Sequence, residues 1–183
     1  AVYDNASGMN KDLLHIALQF GNGTNLTADK QISIGKFGMG LPNSSISQCR
    51  RVEVYSWQNG ETYFSYLDLD EIEEGEMHVV PEPVKKEIPK TLLPLIKSQI
   101  RESGTLVVWS KIDRATWKRS ETLFQNSAKL IGRIYRYFLE AKEATIRLAT
   151  YIDDGRNINK KSEDFIKPND PLFLMKGTSD PVP

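Results

Sequence analysis

A glycine-rich stretch between Gly35 and Leu41 restricts the folds open to this chain more than any other segment. It reads Gly-Lys-Phe-Gly-Met-Gly-Leu, a G-x-x-G-x-G spacing that leads directly into a predicted helix. Glycine adopts positive φ angles and lets a ligand approach the backbone, and a helix N-terminus offers unpaired N–H groups. The stretch therefore predicts a phosphate-binding loop. A tight turn whose glycines serve packing is the alternative.

The surroundings of this loop do not fit the dinucleotide-binding fingerprint. That fingerprint needs a strand immediately before the first glycine and an acidic residue ~20 residues further on. Residues 22–33 are instead polar and contain glycine, and Glu53 comes early, within an alternating segment. Spacing alone thus leaves both the phosphate loop and the packing turn open.

A second motif lies near the start of the chain, where Asp4 ends a predicted strand and is followed by Gly8 and Met9. The carboxylate can accept a hydrogen bond from an exocyclic amine such as that of adenine. The glycine permits close approach, and the methionine offers a soft apolar surface to a flat ring. These residues predict an adenine pocket, and an Asx-turn that caps the next helix is the alternative.

Together, the Asp4-x-x-x-Gly8-Met9 motif and the later glycine loop resemble the gyrase, heat-shock chaperone, histidine kinase and MutL (GHKL) superfamily of ATPases, which has the Bergerat fold. Gly104-Thr105, at the start of an apolar strand, resembles the family's Gly-Thr strand. The resemblance implies that Asp4, Gly8, Met9 and Thr105 bind adenine, with Thr105 supporting Asp4 and a water. It implies that the phosphates are held by Gly35, Lys36, Phe37, Gly38, Met39, Gly40 and Leu41.

The segment between the two motifs, residues 21–34, is rich in Gly, Asn, Thr and Lys and has no periodicity. It is predicted to be a mobile loop, and the resemblance makes it a lid over the nucleotide. The lid residues named on this basis are Gly21, Gly23, Thr24 and Asn25.

Two departures from the family pattern lie at the start of the chain. Ala6 stands where the family usually has a glycine, which would narrow the pocket. The family's first motif, with a catalytic glutamate and a magnesium-binding asparagine, precedes the aspartate, but here only three residues precede Asp4. We therefore expect the sequence to be a fragment, and we assign no catalytic base and no metal ligand.

Hydrophobic periodicity predicts the secondary structure. The predicted helices are 11–20, a short one at 43–48, 92–101 and 120–142. The predicted strands are 51–57 and 62–67, which form a hairpin with one buried face, and 76–80, 104–112 and 145–151. The segment 82–90 is predicted to be a solvated connection. The buried stripe of the long helix is predicted to consist of Leu123, Leu130, Ile131, Ile134 and Phe138.

These elements predict an α+β fold: a two-layer sandwich whose mixed, mostly antiparallel sheet is covered by helices on one face. The predicted domains are residues 1–143, an N-terminally incomplete ATP-binding domain, and residues 144–183. The second segment is a hairpin and linker, or the start of a transducer-like domain.

Charge and cysteine content limit the classes of partner. Lys and Arg together number 24, as do Asp and Glu, so no global field attracts nucleic acid or an anionic membrane. Cys49 is the single cysteine, and no apolar run approaches the ~18 residues of a membrane helix. These features predict a cytoplasmic protein. A basic stripe of Lys129, Arg133 and Arg136 is either a solvated face or a nucleic-acid contact.

The resemblance implies a domain that binds ATP or ADP with Mg²⁺ and couples slow hydrolysis to lid closure and to conformational change or dimerisation. The residue sequence of the glycine loop resembles that of the chaperone-like and MORC-like branches more closely than that of histidine kinases. Two alternatives remain open: a histidine-kinase-like phosphotransferase, and a non-hydrolysing module that binds DNA or protein when nucleotide is bound. The expected partners are ATP, a second copy of the chain, and a DNA or protein client.

Overall fold

A computed structural model describes residues 1–21, 38–96, 101–155, 158–172, 174–175 and 178. The chain divides into two compact units, Ala1–Ala115 and Thr116–Pro183. The domain boundary predicted after residue 143 falls inside the second of these units and stays a prediction.

The first unit contains a five-stranded sheet in the order β1-β5-β2-β3-β4, and every neighbouring pair is antiparallel. The predicted α+β fold with a mostly antiparallel sheet is confirmed. Its described elements are β1 Val2–Asp4, α1 Lys11–Leu18, α2 Gly40–Ile46, β2 Cys49–Gln58, β3 Glu61–Asp68, α3 Leu69–Glu73, β4 Val84–Lys85, α4 Leu93–Ile96 and β5 Gly104–Ile112.

The predicted hairpin is the centre of this sheet. Strands β2 and β3 pair from Arg51↔Asp68 to Gln58↔Glu61, around a two-residue turn at Asn59 and Gly60. Both turn residues have positive φ angles, as a type I′ turn requires, and this turn matches the twist of the strands. Because β5 pairs with the other edge of β2, the hairpin lies inside the sheet.

The two faces of the sheet carry two separate hydrophobic clusters. The cluster on the side of α1 consists of Leu14, Leu18, Cys49, Val52, Val54, Leu67 and Met77. The cluster on the other side consists of Tyr55, Trp57, Phe64, Ile96 and Leu106, with Ile88 and Leu92 packed against it. The prediction that the hairpin buries one face is therefore wrong. The segment that leads into α4 covers the second face, so residues 54–57 are buried on both sides of the strand.

The strand predicted at residues 76–80 does not form. The N–H groups of Glu76 and Met77 both donate to the carbonyl of Glu71, so the backbone closes a turn after α3 instead of extending along the sheet. The outer strand is Val84–Lys85, within the segment predicted to be a solvated connection. The helix predicted at 92–101 is described as Leu93–Ile96, and residues 97–100 lie outside the described residues.

A buried carboxylate anchors the end of the hairpin. The side chain of Asp68 is 1% exposed, and its Oδ2 atom accepts hydrogen bonds from Arg51 Nη1 and Lys111 Nζ, both at 2.9 Å. Its Oδ1 atom accepts from the N–H of Asp70 at 2.9 Å. Burial raises the pKa of Asp68, but the hydrogen bonds from these donors outweigh it and lower the pKa from 3.8 to about 2. This cluster was not among the features predicted from the sequence.

The second unit contains α5 Ser120–Ile134, α6 Arg136–Glu140, and the antiparallel pair β6 Arg147–Asp153 and β7 Ile158–Phe165. The predicted helix 120–142 is interrupted at Tyr135, whose φ of −98° and ψ of 14° separate α5 from α6. Strand β6 corresponds to the predicted strand 145–151, and it pairs with β7 in a hairpin, as predicted for this segment without bounds for the second strand. None of the described helices is long and apolar enough to cross a membrane.

The prediction that the apolar stripe of the long helix is buried is wrong. Its members Leu123, Leu130, Ile134 and Phe138 are between 41% and 58% exposed, and Ile131 is half-buried. The buried residue of α5 is Gly132, whose carbonyl accepts from Asn169 N–H at 3.1 Å. A Cβ at this position would collide with the carbonyl of Lys167. The chain around Asn169 thus packs on the face of the helix that contains Gly132, and periodicity alone could not identify that face.

Candidate functional site

Three polar residues form a row across neighbouring strands of the first unit. Asp4 on β1 pairs with Thr105 on β5, and Thr105 pairs with Ser56 on β2. Directly paired residues point to the same face of a sheet, and alternation from Val54 places this row on the side of α1. The row therefore opens on the same side as the helices that follow both sequence motifs.

The hydroxyl of Ser56 connects this row to the Met9 segment. Ser56 is fully buried, and its Oγ atom accepts a hydrogen bond from the backbone N–H of Met9 at 2.8 Å. The same oxygen lies 3.1 Å from the carbonyl oxygen of Gly104, to which it donates, and 3.0 Å from the hydroxyl of Thr105. One buried oxygen thus holds together the two segments that carry the predicted adenine residues.

Gly8 is required by the packing of the protein's own backbone. Its φ is 67°, and a Cβ there would collide with the carbonyl oxygen of Trp57 and lie 3.2 Å from that of Gly104. From the sequence, this glycine was expected to permit the close approach of a ligand. In the structure, the backbone of Gly8 also lies close to the backbone at the end of β2. This contact positions the Met9 segment against the sheet.

The carboxylate of Asp4 is exposed at the end of β1. Its Oδ1 atom accepts from the N–H of Ala6 at 3.0 Å, so the Asx-turn considered as an alternative is present. That turn does not cap the following helix, because Asn10 is the N-cap of α1 and its side chain accepts from Leu13 N–H at 2.9 Å. The turn occupies one carboxylate oxygen and orients the group at the edge of the row.

Met9 and Leu41 place the two motifs on one side of the sheet. Both side chains are partly buried and pack against the cluster that contains Leu14 and Leu18. Helix α2, which begins in the glycine loop, therefore shares its packing surface with the residues next to the polar row.

The described part of the glycine loop begins at Gly38, whose φ is 65°. Helix α2 starts two residues later, and its N-cap residue, Met39, makes no side-chain capping bond. The first N–H groups of a helix have no partner within the helix, so they remain available to a ligand. The predicted phosphate residues Gly35, Lys36 and Phe37 lie outside the described residues.

The predicted lid falls largely outside the described residues as well. Gly23, Thr24 and Asn25 belong to the part of the chain that is not described. Gly21 is described, is exposed and has a φ of 70°, at the point where the chain leaves the end of α1.

A family model described as histidine kinase-, DNA gyrase B-, and HSP90-like ATPase matches residues 1–105, more than half of the chain. The chain belongs to this GHKL ATPase family. The match includes every residue predicted to bind adenine or phosphate, and the five-stranded sheet with its helices is consistent with the family's Bergerat fold. No curated protein sequence matches the chain significantly.

Within this GHKL-type ATP-binding domain, Ser56 is the residue that sequence reasoning missed. The signal was present in β2, where Val52 and Val54 point toward the helices and the next residue on that face is a serine. A polar residue at a position where alternation requires an apolar one must find hydrogen-bond partners when it is buried. Its partners lie on distant parts of the chain, so the sequence pattern could not name them.

Proposed function

We propose that this GHKL-type domain binds ATP in the corner formed by Asp4, Met9 and Thr105 and couples binding to a conformational change. The observation that carries the proposal is the junction at Ser56, which holds the Met9 segment and Thr105 together beside an exposed carboxylate. Where several segments must contact one ligand in a fixed geometry, supporting hydrogen bonds of this kind are needed to hold the segments together.

Each residue of the corner has a distinct role in the proposal. The carboxylate of Asp4 accepts a hydrogen bond from the 6-amino group of adenine, because its Asx-turn uses only one oxygen. Met9 provides a polarizable surface beneath the base. Thr105 supports Asp4 through the backbone pairing of their strands, which holds the carboxylate beside the threonine.

The phosphates are proposed to bind at the turn before α2. The backbone N–H groups of Gly38, Met39, Gly40 and Leu41 stand at the uncapped start of this helix, where partial positive charge favours an anion. Gly35, Lys36 and Phe37 would complete the loop, and residues 21–34 would close over the nucleotide and open when the γ-phosphate is lost.

Mg²⁺ would accompany the triphosphate, as usual for nucleotide sites of this kind. In the described ranges, no group of three or more His, Cys, Asp or Glu side chains converges to hold a metal ion. The described residues therefore do not form a protein cage for Mg²⁺, and the proposed binding of adenine and phosphates depends on the groups named above.

Beyond ATP binding, we propose that bound ATP closes the lid and promotes dimerisation and that slow hydrolysis reverses these changes. We place this cycle in a cytoplasmic protein of the chaperone-like or MORC-like type with a DNA or protein client. The residue sequence Phe37-Gly38-Met39-Gly40-Leu41 supports the chaperone-like or MORC-like branch. Transfer of radiolabelled phosphate to a histidine would favour a phosphotransferase instead. Tight ATP binding without turnover would favour a nucleotide-dependent interaction module.

Calorimetric titration tests the proposed site directly. ATP, ADP and a non-hydrolysable ATP analogue, each with Mg²⁺, are titrated into the longest natural form of the chain and its Gly38→Ala variant. We expect micromolar ATP binding. Because alanine at a φ of 65° is strained and disturbs the phosphate turn, ATP affinity should fall about tenfold, the equivalent of about 1.4 kcal/mol. Adenosine affinity should remain unchanged.

Gly75→Ala is the matched control for this variant. Gly75 has a φ of 76°, and a Cβ at this position would meet open space, so the substitution introduces similar backbone strain in a turn remote from the glycine loop. Its ATP affinity should equal that of the wild type. Absence of ATP binding in the wild-type protein would overturn the proposed function.

A further inference from the structure

The Ser56 junction consists of the hydrogen bonds that join Ser56 to Met9, Gly104 and Thr105, and it indicates a role in selectivity for the base. This role deepens the proposed function and rests on it. A serine hydroxyl carries one hydrogen. The carbonyl of Gly104, 3.1 Å away, can only accept, so Ser56 gives its hydrogen to that carbonyl. With the serine hydrogen assigned to that carbonyl, the hydrogen between the two hydroxyls, 3.0 Å apart, comes from Thr105.

The Met9 segment completes this arrangement. Its N–H donates to Ser56 Oγ at 2.8 Å, so the serine oxygen receives two hydrogens, from Met9 and from Thr105, and donates its own. All of its hydrogen-bonding capacity is used, as expected for a fully buried hydroxyl. Thr105 is left with lone pairs on Oγ1 and no hydrogen for a ligand.

We propose that Ser56 is a positioning residue that fixes Thr105 as a hydrogen-bond acceptor and thereby makes the edge of the site selective for purines with an amine at the 6-position. The neighbouring Asp4 carboxylate also only accepts when ionised, so both groups of the row present acceptors. A 6-amino purine offers a hydrogen to such an edge. A 6-oxo purine offers an oxygen to it, which is repelled.

The test compares the binding of ATP and inosine triphosphate, which differ at the 6-position and in the hydrogen at N1. Both are titrated calorimetrically into the wild-type protein, in its longest natural form, and into Ser56→Ala. Removing the hydroxyl frees the hydrogen of Thr105 to point toward the ligand and to donate to a 6-oxo group. We expect the ratio of ATP affinity to inosine triphosphate affinity to fall about tenfold, as for one hydrogen bond.

The ratio separates this role from a merely structural one. Loss of the hydrogen bond from Met9 lowers the affinities for both nucleotides by the same factor and leaves the ratio of the two affinities unchanged. Ser65→Ala is the matched control, because Ser65 is 1% exposed on the same face of β3 and its hydroxyl donates to Pro81 O at 2.8 Å, away from the row. This variant should keep the wild-type ratio.

An unchanged ratio in Ser56→Ala, with ATP still bound, overturns the inference and leaves the proposed function standing. Failure of the wild-type protein to bind ATP overturns the proposed function itself. If Ser56→Ala does not fold, NMR of the wild-type protein decides. A slowly exchanging Thr105 hydroxyl proton with contacts to the β-protons of Ser56 supports the inference, whereas a rapidly exchanging proton or one directed elsewhere contradicts it.

Discussion

Asp4→Asn should reduce ATP affinity about a hundredfold, since a charge-assisted hydrogen bond is lost and an amide donor is placed opposite the donor amine of adenine. The fold should be unaffected. Asp4 is exposed, and Oδ1 of asparagine can still accept from the N–H of Ala6 and keep the Asx-turn. Calorimetry measures the affinity, and urea denaturation checks that the free energy of unfolding stays within about 0.5 kcal/mol of wild type.

The loss of affinity in Asp4→Asn should depend on the base of the nucleotide. This dependence tests the orientation in which the nucleotide binds. The new amide can donate to the 6-oxo group of inosine triphosphate, so that nucleotide should lose much less affinity than ATP. Asp12→Asn, an exposed position in the first turn of α1, makes the same change of charge outside the corner and should bind ATP normally. Equal losses for both nucleotides would mean that Asp4 does not contact the base.

Asp68→Ala should destabilise the first unit by about 3 kcal/mol, because removing one partner of a buried ion pair leaves charges without compensation. Arg51 retains Glu53 and Glu71 as partners, and Lys111 retains Asp70, which places the expected cost at the lower end of the usual range. Urea denaturation measures the effect. Glu61→Ala, which removes the exposed ion pair with Lys85, is the control and should cost less than about 1 kcal/mol.

The contribution of Asp68 should also disappear in acid. Its pKa is about 2 in the folded protein against an ordinary value of 3.8, so the folded state favours the ionised form. The resulting stabilisation, about 2.5 kcal/mol at 1.36 kcal/mol per pKa unit, is present above about pH 4 and is lost as the pH falls toward 2. The stability difference between wild type and Asp68→Ala should therefore shrink across that range. A difference that stays constant from pH 5 to pH 2 would contradict the assignment.

Elements specified by local residue order were predictable. Alternation of polar and apolar residues predicted the hairpin, and the apolar strand that begins at Gly104 was predicted with the bounds that the structure has. Asn10, directly before the predicted helix, caps α1 with its side chain. In each case a few neighbouring residues determine the backbone conformation, so the pattern carries the information by itself.

Features that depend on distant packing were not predictable. The apolar stripe of α5 was expected to be buried, yet the chain around Asn169 packs on Gly132 instead. The cluster around Asp68 unites residues from β2, β3, α3 and β5, and no spacing in the sequence indicates that they meet. Which face of an element is covered is decided by segments far along the chain.

The sequence by itself determined the family to which the chain belongs, because the order and spacing of its motifs are properties of the chain alone. These motifs are Asp4, Gly8 and Met9, the glycine loop, and Gly104-Thr105. Only the tertiary structure decided how they are joined. The register of three strands brings Asp4, Thr105 and Ser56 into one row, and the hydroxyl of Ser56 fastens the Met9 segment to it. A buried polar group must find its hydrogen-bond partners in space, and strand register, which the sequence pattern leaves open, determines which partners it finds.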